Sequence, residues 1–153
     1  MGMDLVGRKP ISTHGEYFRS SCWQWGPLWK LLCDTCGSIL TEEDKKNGQY
    51  NIGHLITDPK AKQIGAKIWS MLRSGEVAAY AAATPPVLDE GTAAFMRLTE
   101  EALGRRLGTG TVIVSQGGKP TVHLRDAKPE PLDLHFVAEF ADFCLQSGGF
   151  EIW

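Results

Sequence analysis

Apolar positions recur at two different spacings along the chain, and the switches between them mark the elements. Over residues 17–25 they alternate imperfectly, so Tyr17, Arg19, Ser21, Trp23 and Trp25 are expected to share one face of an extended start. From Pro27 the spacing becomes three and four. Trp25, Leu28, Trp29, Leu32, Cys33 and Cys36 form an apolar stripe, predicting a helix that begins at Pro27 and stops at Gly37. Residues 41–51 are polar, with Asn47-Gly48 as a turn signal. A second helix follows, with Asp58 as cap and Pro59 behind it. It buries Ala61, Ile64, Ile68, Met71 and Leu72, while Lys60, Gln63, Lys67 and Ser70 face out. Gly75 divides it from an alanine-rich third helix over Glu76–Ala83, and a fourth is expected over residues 89–106.

The period then changes. β-rich runs at 111–115 and 121–124 around Gly117-Gly118 predict a hairpin, and Pro129 and Pro131 make 127–132 a loop. A fifth helix over 133–147 carries the stripe Phe136, Val137, Phe140, Phe143 and Cys144. Gly148-Gly149 ends it, and residues 150–153 read as a last short strand. Ahead of Tyr17 only 11–13 suggests a strand. The sum is a single α+β domain, mainly helical with about five helices, and a small antiparallel sheet that includes the 111–124 hairpin. Three of the five tryptophans, Trp23, Trp25 and Trp29, stand in one short stretch. Rings bury the most area per residue, so this cluster is expected to be the core nucleus, with Arg19, Ser20 and Ser21 as its polar rim. Replacing Trp23 or Trp25 with alanine is expected to melt the fold.

The 153 residues suit one domain with a substantial core. Sixteen basic and eighteen acidic side chains give a net charge of −2, which argues against a general nucleic-acid binder. Residues 129–153 hold five acids and no Lys or Arg, so the fifth helix presents an acidic face. No apolar run is long enough to cross a bilayer, residues 1–10 lack a secretion signal, and four cysteines do not make a disulfide scaffold. A cytoplasmic protein with reduced thiols is expected.

The stretch Tyr17-Phe18-Arg19-Ser20-Ser21-Cys22-Trp23-Gln24-Trp25-Gly26-Pro27-Leu28-Trp29 resembles the amino-terminal motif of small proteins of phages, prophages and other mobile elements. Two more pieces resemble that group in the same order. They are Gly48-Gln49-Tyr50-Asn51-Ile52-Gly53-His54-Leu55-Ile56 and the closing run from Phe140 to Trp153, with its Ser147-Gly148-Gly149-Phe150-Glu151-Ile152. The chain departs from the group in carrying Ile52 and His54 where an acid is frequent, and in lacking central cysteine pairs. The group has no activity to carry over. The resemblance implies a setting: an accessory protein in the host cytoplasm that binds a host macromolecule and disables a defence, CRISPR or other, or a regulatory protein.

Three constellations could carry chemistry. Cys33-x-x-Cys36 supplies two of the four ligands a zinc site needs, with Cys22, His14 or His54 as possible completions. Its place on an apolar helix face fits buried structural thiols instead. Asn51-Ile52-Gly53-His54 with Asp58 could assemble a general base or ligand site, but the segment better suits a turn that Asn51 closes on its own backbone, with His54 exposed. Arg19 amid Tyr17, Ser20, Ser21, Trp23 and Trp25 could bind an anion or a partner protein, or pair with Glu16 or an acid of the fifth helix. Lys60, Lys62, Lys67 and Arg73 could touch nucleic acid but suit a solvated face. Gly117-Gly118-Lys119-Pro120 lacks the upstream glycine and the hydroxyl of a phosphate loop. The leading expectation is therefore a non-enzymatic binding protein without a cofactor, recognising a host protein through Tyr17, Arg19, Ser20, Ser21, Trp23, Trp25, Asn51 and His54 or through the acidic helix. The alternative is a small-ligand protein or hydrolase centred on Asn51, His54 and Arg19.

Overall fold

The computed structural model describes residues 2–84, 111–116, 119–124 and 132–153. The chain forms two compact units, Met1–Pro85 with Pro131–Trp153, and Pro86–Glu130. In chain order the first contains β1 (Gly2–Gly7), a 3-10 turn (Thr13–Gly15), β2 (Tyr17–Ser21), α1 (Cys22–Thr35), α2 (Glu42–Asn47), β3 (His54–Ile56), α3 (Asp58–Ser74) and α4 (Glu76–Ala83). In the second, β4 (Thr111–Gln116) and β5 (Lys119–Leu124) pair antiparallel from Thr111↔Leu124 to Gln116↔Lys119. The first unit resumes with α5 (Leu134–Gln146) and β6 (Phe150–Ile152). The fold is α+β, mainly helical, as the periodicity predicts. The helix expected over 89–106, the Gly117-Gly118 turn and the 127–131 loop lie outside the described residues.

The principal sheet is antiparallel with order β2-β1-β6-β3, and the β4–β5 hairpin forms a separate two-stranded sheet rather than joining it. The pairing partner of both β2 and β6 is β1, a strand the sequence reading missed. Its short run, bounded by Gly2 and Gly7, places only Met3 and Leu5 inward, too few positions to stand out as a period. Residues 11–13, expected as a strand, instead lead into the 3-10 turn, and Ile11 is exposed. The segment after β1 is held by the end of α5: the amides of Arg8, Lys9 and Ile11 donate to the carbonyls of Gly149, Ser147 and Gln146 at 2.8, 3.0 and 2.9 Å. That approach requires Gly148, whose φ of +65° and contact with the Lys9 backbone leave no room for a side chain.

Helix α1 starts at Cys22, not at Pro27. Ser21 and Gln24 form a reciprocal capping box, with the Gln24 amide donating to Ser21 Oγ at 3.2 Å, and this outweighs proline's preference for the first turn. Pro27 therefore sits inside the helix and lacks the N–H that would meet the Trp23 carbonyl. The early start carries Trp23 and Trp25 off the strand and onto different sides of a helix. Residues 41–51 also hold a helix where only a polar segment was expected. Thr41 and Asp44 cap α2 in the same reciprocal way, but α2 has no apolar stripe to betray it. By contrast, α3, α4 and α5 lie within a residue of the expected bounds, with Thr57 rather than Asp58 as the α3 cap.

The inner face of the sheet offers Met3, Leu5, Phe18, Ile56, Phe150 and Ile152 to a core completed by α1, α3 and α5. Phe18 is its hinge point: its ring lies 5.2, 5.5 and 5.6 Å from those of Phe136, Phe140 and Phe143. Trp25 meets Phe140 edge-on at 6.0 Å and stacks on Trp29 at 5.4 Å. Trp23, 48% exposed, is outside this packing, which corrects the expectation that the whole cluster is core. Denaturant unfolding is expected to separate the two: Trp25→Ala should lose about 3–5 kcal/mol, the usual cost of emptying a buried aromatic site. Trp23→Ala should stay within about 0.5 kcal/mol of the parent.

Candidate functional site

Strand alternation sends Asp4 and Val6 of β1, Tyr17 and Arg19 of β2, Leu55 of β3 and Glu151 of β6 to the face opposite the core. Trp153 continues β6, exchanging two backbone hydrogen bonds with Asp4 at 2.6 and 2.8 Å. The register then lays out two rows across the sheet. One runs Tyr17, Val6, Glu151, Leu55; the other runs Arg19, Asp4, Trp153. Tyr17 and Trp153 are each 51% exposed, and Val6 and Leu55 are also open to solvent. The Trp153 ring lies flat against Gly53, where a Cβ would stand 2.7 Å from Cη2 and where φ is +77°.

Charges on this face are matched within it. The Tyr17 hydroxyl donates to Asp4 Oδ1, and Arg19 Nε lies 3.7 Å from the same oxygen. That hydrogen bond to the carboxylate raises the Tyr17 pKa above its ordinary value, so the phenol keeps its proton. Arg8 Nη1 donates to Glu151 Oε1 at 2.7 Å, and Trp153 Nε1 donates to Glu151 Oε2 at 3.2 Å. What remains for a partner is a patch of rings and aliphatic side chains bordered by satisfied ion pairs. Arginine, tyrosine and tryptophan in that combination are the residues over-represented where proteins bind one another.

A second polar cluster lies on the other side of the sheet and centres on Asp44, a residue absent from the expected site. Its side chain is buried, with His54 Nε2 2.9 Å from Oδ1 and Lys60 Nζ on Oδ2. The Thr41 amide donates to Oδ2 at 2.8 Å. Burial pushes this carboxyl upward, but the hydrogen bonds from Lys60, the Thr41 amide and His54 outweigh it and hold the pKa at about 2. Since an ionised carboxylate only accepts, His54 Nε2 carries the hydrogen in this contact. Asp44 thus ties α2 to β3 and α3. Two indoles reinforce the same junction, Trp25 Nε1 donating to the Gly48 carbonyl at 2.9 Å and Trp29 Nε1 to the Lys45 carbonyl at 3.1 Å. Both acceptors belong to the end of α2, where carbonyls lack intrahelical partners.

The expected site residues therefore divide. Tyr17 and Arg19 share the open face, Ser21 caps α1, and Trp23 is exposed on the first turn of α1. Ser20 and Trp25, 1% and 2% exposed, are interior and cannot touch a partner; Ser20 Oγ donates to the Ser21 carbonyl. Asn51 is exposed, whereas His54 shares the inner side with Ile56 and bonds Asp44 rather than Asp58. Arg19 pairs with Asp4, not with Glu16 or an acid of α5. Because β2 and β3 are opposite edges of the sheet, Arg19 does not converge with Asn51 and His54.

The α3 lysines and the α5 acids are largely engaged at home. Lys60 and Lys62 bond Asp44 and Asp58, and Asp142 accepts from Trp69 Nε1 at 2.8 Å. Burial raises the thiol pKa of Cys33 and of Cys36, which leaves both protonated and poor nucleophiles near neutrality. Among the described residues no three His, Cys, Asp or Glu side chains gather as metal ligands; the Cys22 side chain lies outside them. The described helices include none long and apolar enough to cross a membrane.

Comparison of the chain with protein-family models, with curated proteins and with solved structures returns no match. The Asp44 junction has a clear signature in pH. Its folded pKa of about 2 lies below the ordinary 3.8, so its contribution is complete above that ordinary value and drains away as pH falls towards the folded one. The difference corresponds to about 2 kcal/mol. Asp44→Asn is expected to lower stability at neutral pH and to flatten the acid limb of a stability-against-pH curve measured by denaturant titration. An unchanged acid limb would show that folding does not lower the Asp44 pKa.

Proposed function

We propose that this chain is a non-catalytic binding protein that docks a partner protein on the open face of its four-stranded sheet. The observation that carries the reading is the group Tyr17, Val6, Leu55 and Trp153, exposed together on one face whose charges are already paired. Apolar side chains scattered singly on a surface need no explanation; rings and aliphatics set in register across four strands do. A partner covering them would gain apolar burial without having to strip water from an unpaired charge.

The class of partner comes from the resemblance of residues 17–29, 48–56 and 140–153 to proteins of phages and mobile elements. On that basis the partner is a host defence or regulatory protein met in the host cytoplasm, and the effect of binding is inhibition. The CRISPR machinery is one such target. No catalytic step is assigned, because Arg19 stands on the opposite edge of the sheet from His54 and the Asp44–His54 pair is locked into the scaffold with Lys60.

Affinity purification of the tagged protein from defence-bearing hosts is expected to bring down one stoichiometric protein. With that partner purified, Tyr17→Ala and Trp153→Ala should each weaken binding tenfold or more, about 1.4 kcal/mol, without lowering the melting temperature appreciably. Absence of any stoichiometric partner across such hosts would contradict the proposal, as would full affinity in the double variant.

A further inference from the structure

The edge of the same sheet at β2 carries a separate implication. Hydrogen bonding along an antiparallel strand alternates from one neighbour to the other. Gly7 donates to the Glu16 carbonyl at 2.9 Å, and Asp4 exchanges both its bonds with Trp153, so Met3, Leu5 and Gly7 face β2 while Asp4 and Val6 face β6. By the register, Phe18 and Ser20 are then the β2 residues whose backbones bond β1. The N–H and C=O groups of Tyr17 and Arg19 turn to the outer edge, and among the described residues β2 pairs with no strand but β1. Such an edge is a template for another strand unless it is charged, bulged or interrupted by proline. Here one charge, Arg19, is already held against Asp4.

The geometry points to a second copy of this chain as the occupant, paired antiparallel edge to edge through β2 about a two-fold axis at Phe18. Only registers that set odd positions against odd positions bring the outward backbone groups together. A two-fold axis at Arg19 would oppose two guanidinium groups, and one at Tyr17 would set Arg19 against Gly15, which is buried. The axis at Phe18 places each Tyr17 opposite the partner copy's Arg19. A cation then meets a phenol ring that is itself bonded to the Asp4 carboxylate, and no like charges face each other. The contact is isologous, closes on itself, and joins two four-stranded sheets into one of eight. It shares Tyr17 and Arg19 with the docking face, but its hydrogen bonds are made by backbone groups at the edge, and Leu55 and Trp153 take no part.

Sedimentation equilibrium of the full chain tests this, with amide hydrogen exchange read at Tyr17 and Arg19. A concentration-dependent dimer is expected, and exchange at those two amides should slow about tenfold or more on concentrating the protein. Arg19→Pro removes the outward N–H together with the guanidinium, a backbone change edge strands accept, and should give a monomer; Arg19→Ala keeps that N–H and should dimerise, more weakly than the parent. Trp153→Ala should dimerise like the parent, which separates this proposal from the docking-face reading. A monomer at millimolar concentration would overturn the proposal. So would a dimer in which the Tyr17 and Arg19 amides exchange at the dilute rate, or protection of those amides that needs a different protein as partner. The wild-type exchange measurement decides the matter even if Arg19→Pro fails to fold.

Discussion

Phe18 inserted among the rings of α5 is the contact on which the rest of the structure depends. It anchors the edge strand β2 to the longest apolar stripe of the chain's last third, and with Phe150 it clamps both flanks of β1 over the same core. Four short strands cannot hold together on backbone hydrogen bonds alone; burial of one face supplies the stability and fixes the register. The consequence is one-sidedness. The large inward side chains of β1, β2, β3 and β6 are committed to the core or to the Asp44 junction, so the opposite positions carry the exposed side chains.

The polar counterpart of that core is the Asp44 carboxylate. A buried ionised acid is tolerable only when its lone pairs are filled, and here a capping amide, an imidazole and an ammonium group fill them from α2, β3 and α3. Breaking any partner leaves a desolvated charge behind. The same cluster explains why His54 serves the scaffold: the group that could orient it for proton transfer also receives Lys60 and the helix cap. Polar chemistry on this protein is therefore architectural on one side of the sheet and superficial on the other.

Much of the helical architecture was legible in the sequence because α3 and α5 combine a stripe of apolar residues with a glycine stop, and α4 is an alanine-rich run between Gly75 and Thr84-Pro85-Pro86; those signals are local. The 111–124 hairpin was legible for the same reason, through β-branched runs around two glycines. What escaped depended on capping or on distant pairing. Ser21-x-x-Gln24 and Thr41-x-x-Asp44 are helix starts written in four residues, and the first was overruled by the louder signal of Pro27. Strand β1 is defined by partners 9 to 149 residues away, and nothing in Gly2–Gly7 names them. The site was half visible. Tyr17 and Arg19 belonged to the aromatic segment already singled out, whereas Val6, Leu55 and Trp153 come from three remote strands and meet them only in the folded sheet.

The account rests on a sheet with one face shut and one face open, and oxidative footprinting of the free protein reads both at once. With hydroxyl radicals, Tyr17, Trp23 and Trp153 should label at rates close to those of the unfolded chain, while Phe18, Trp25, Trp29 and Phe140 stay protected until the fold is lost. Protection of Tyr17 and Trp153 in the isolated monomer, or ready labelling of Trp25, would contradict it.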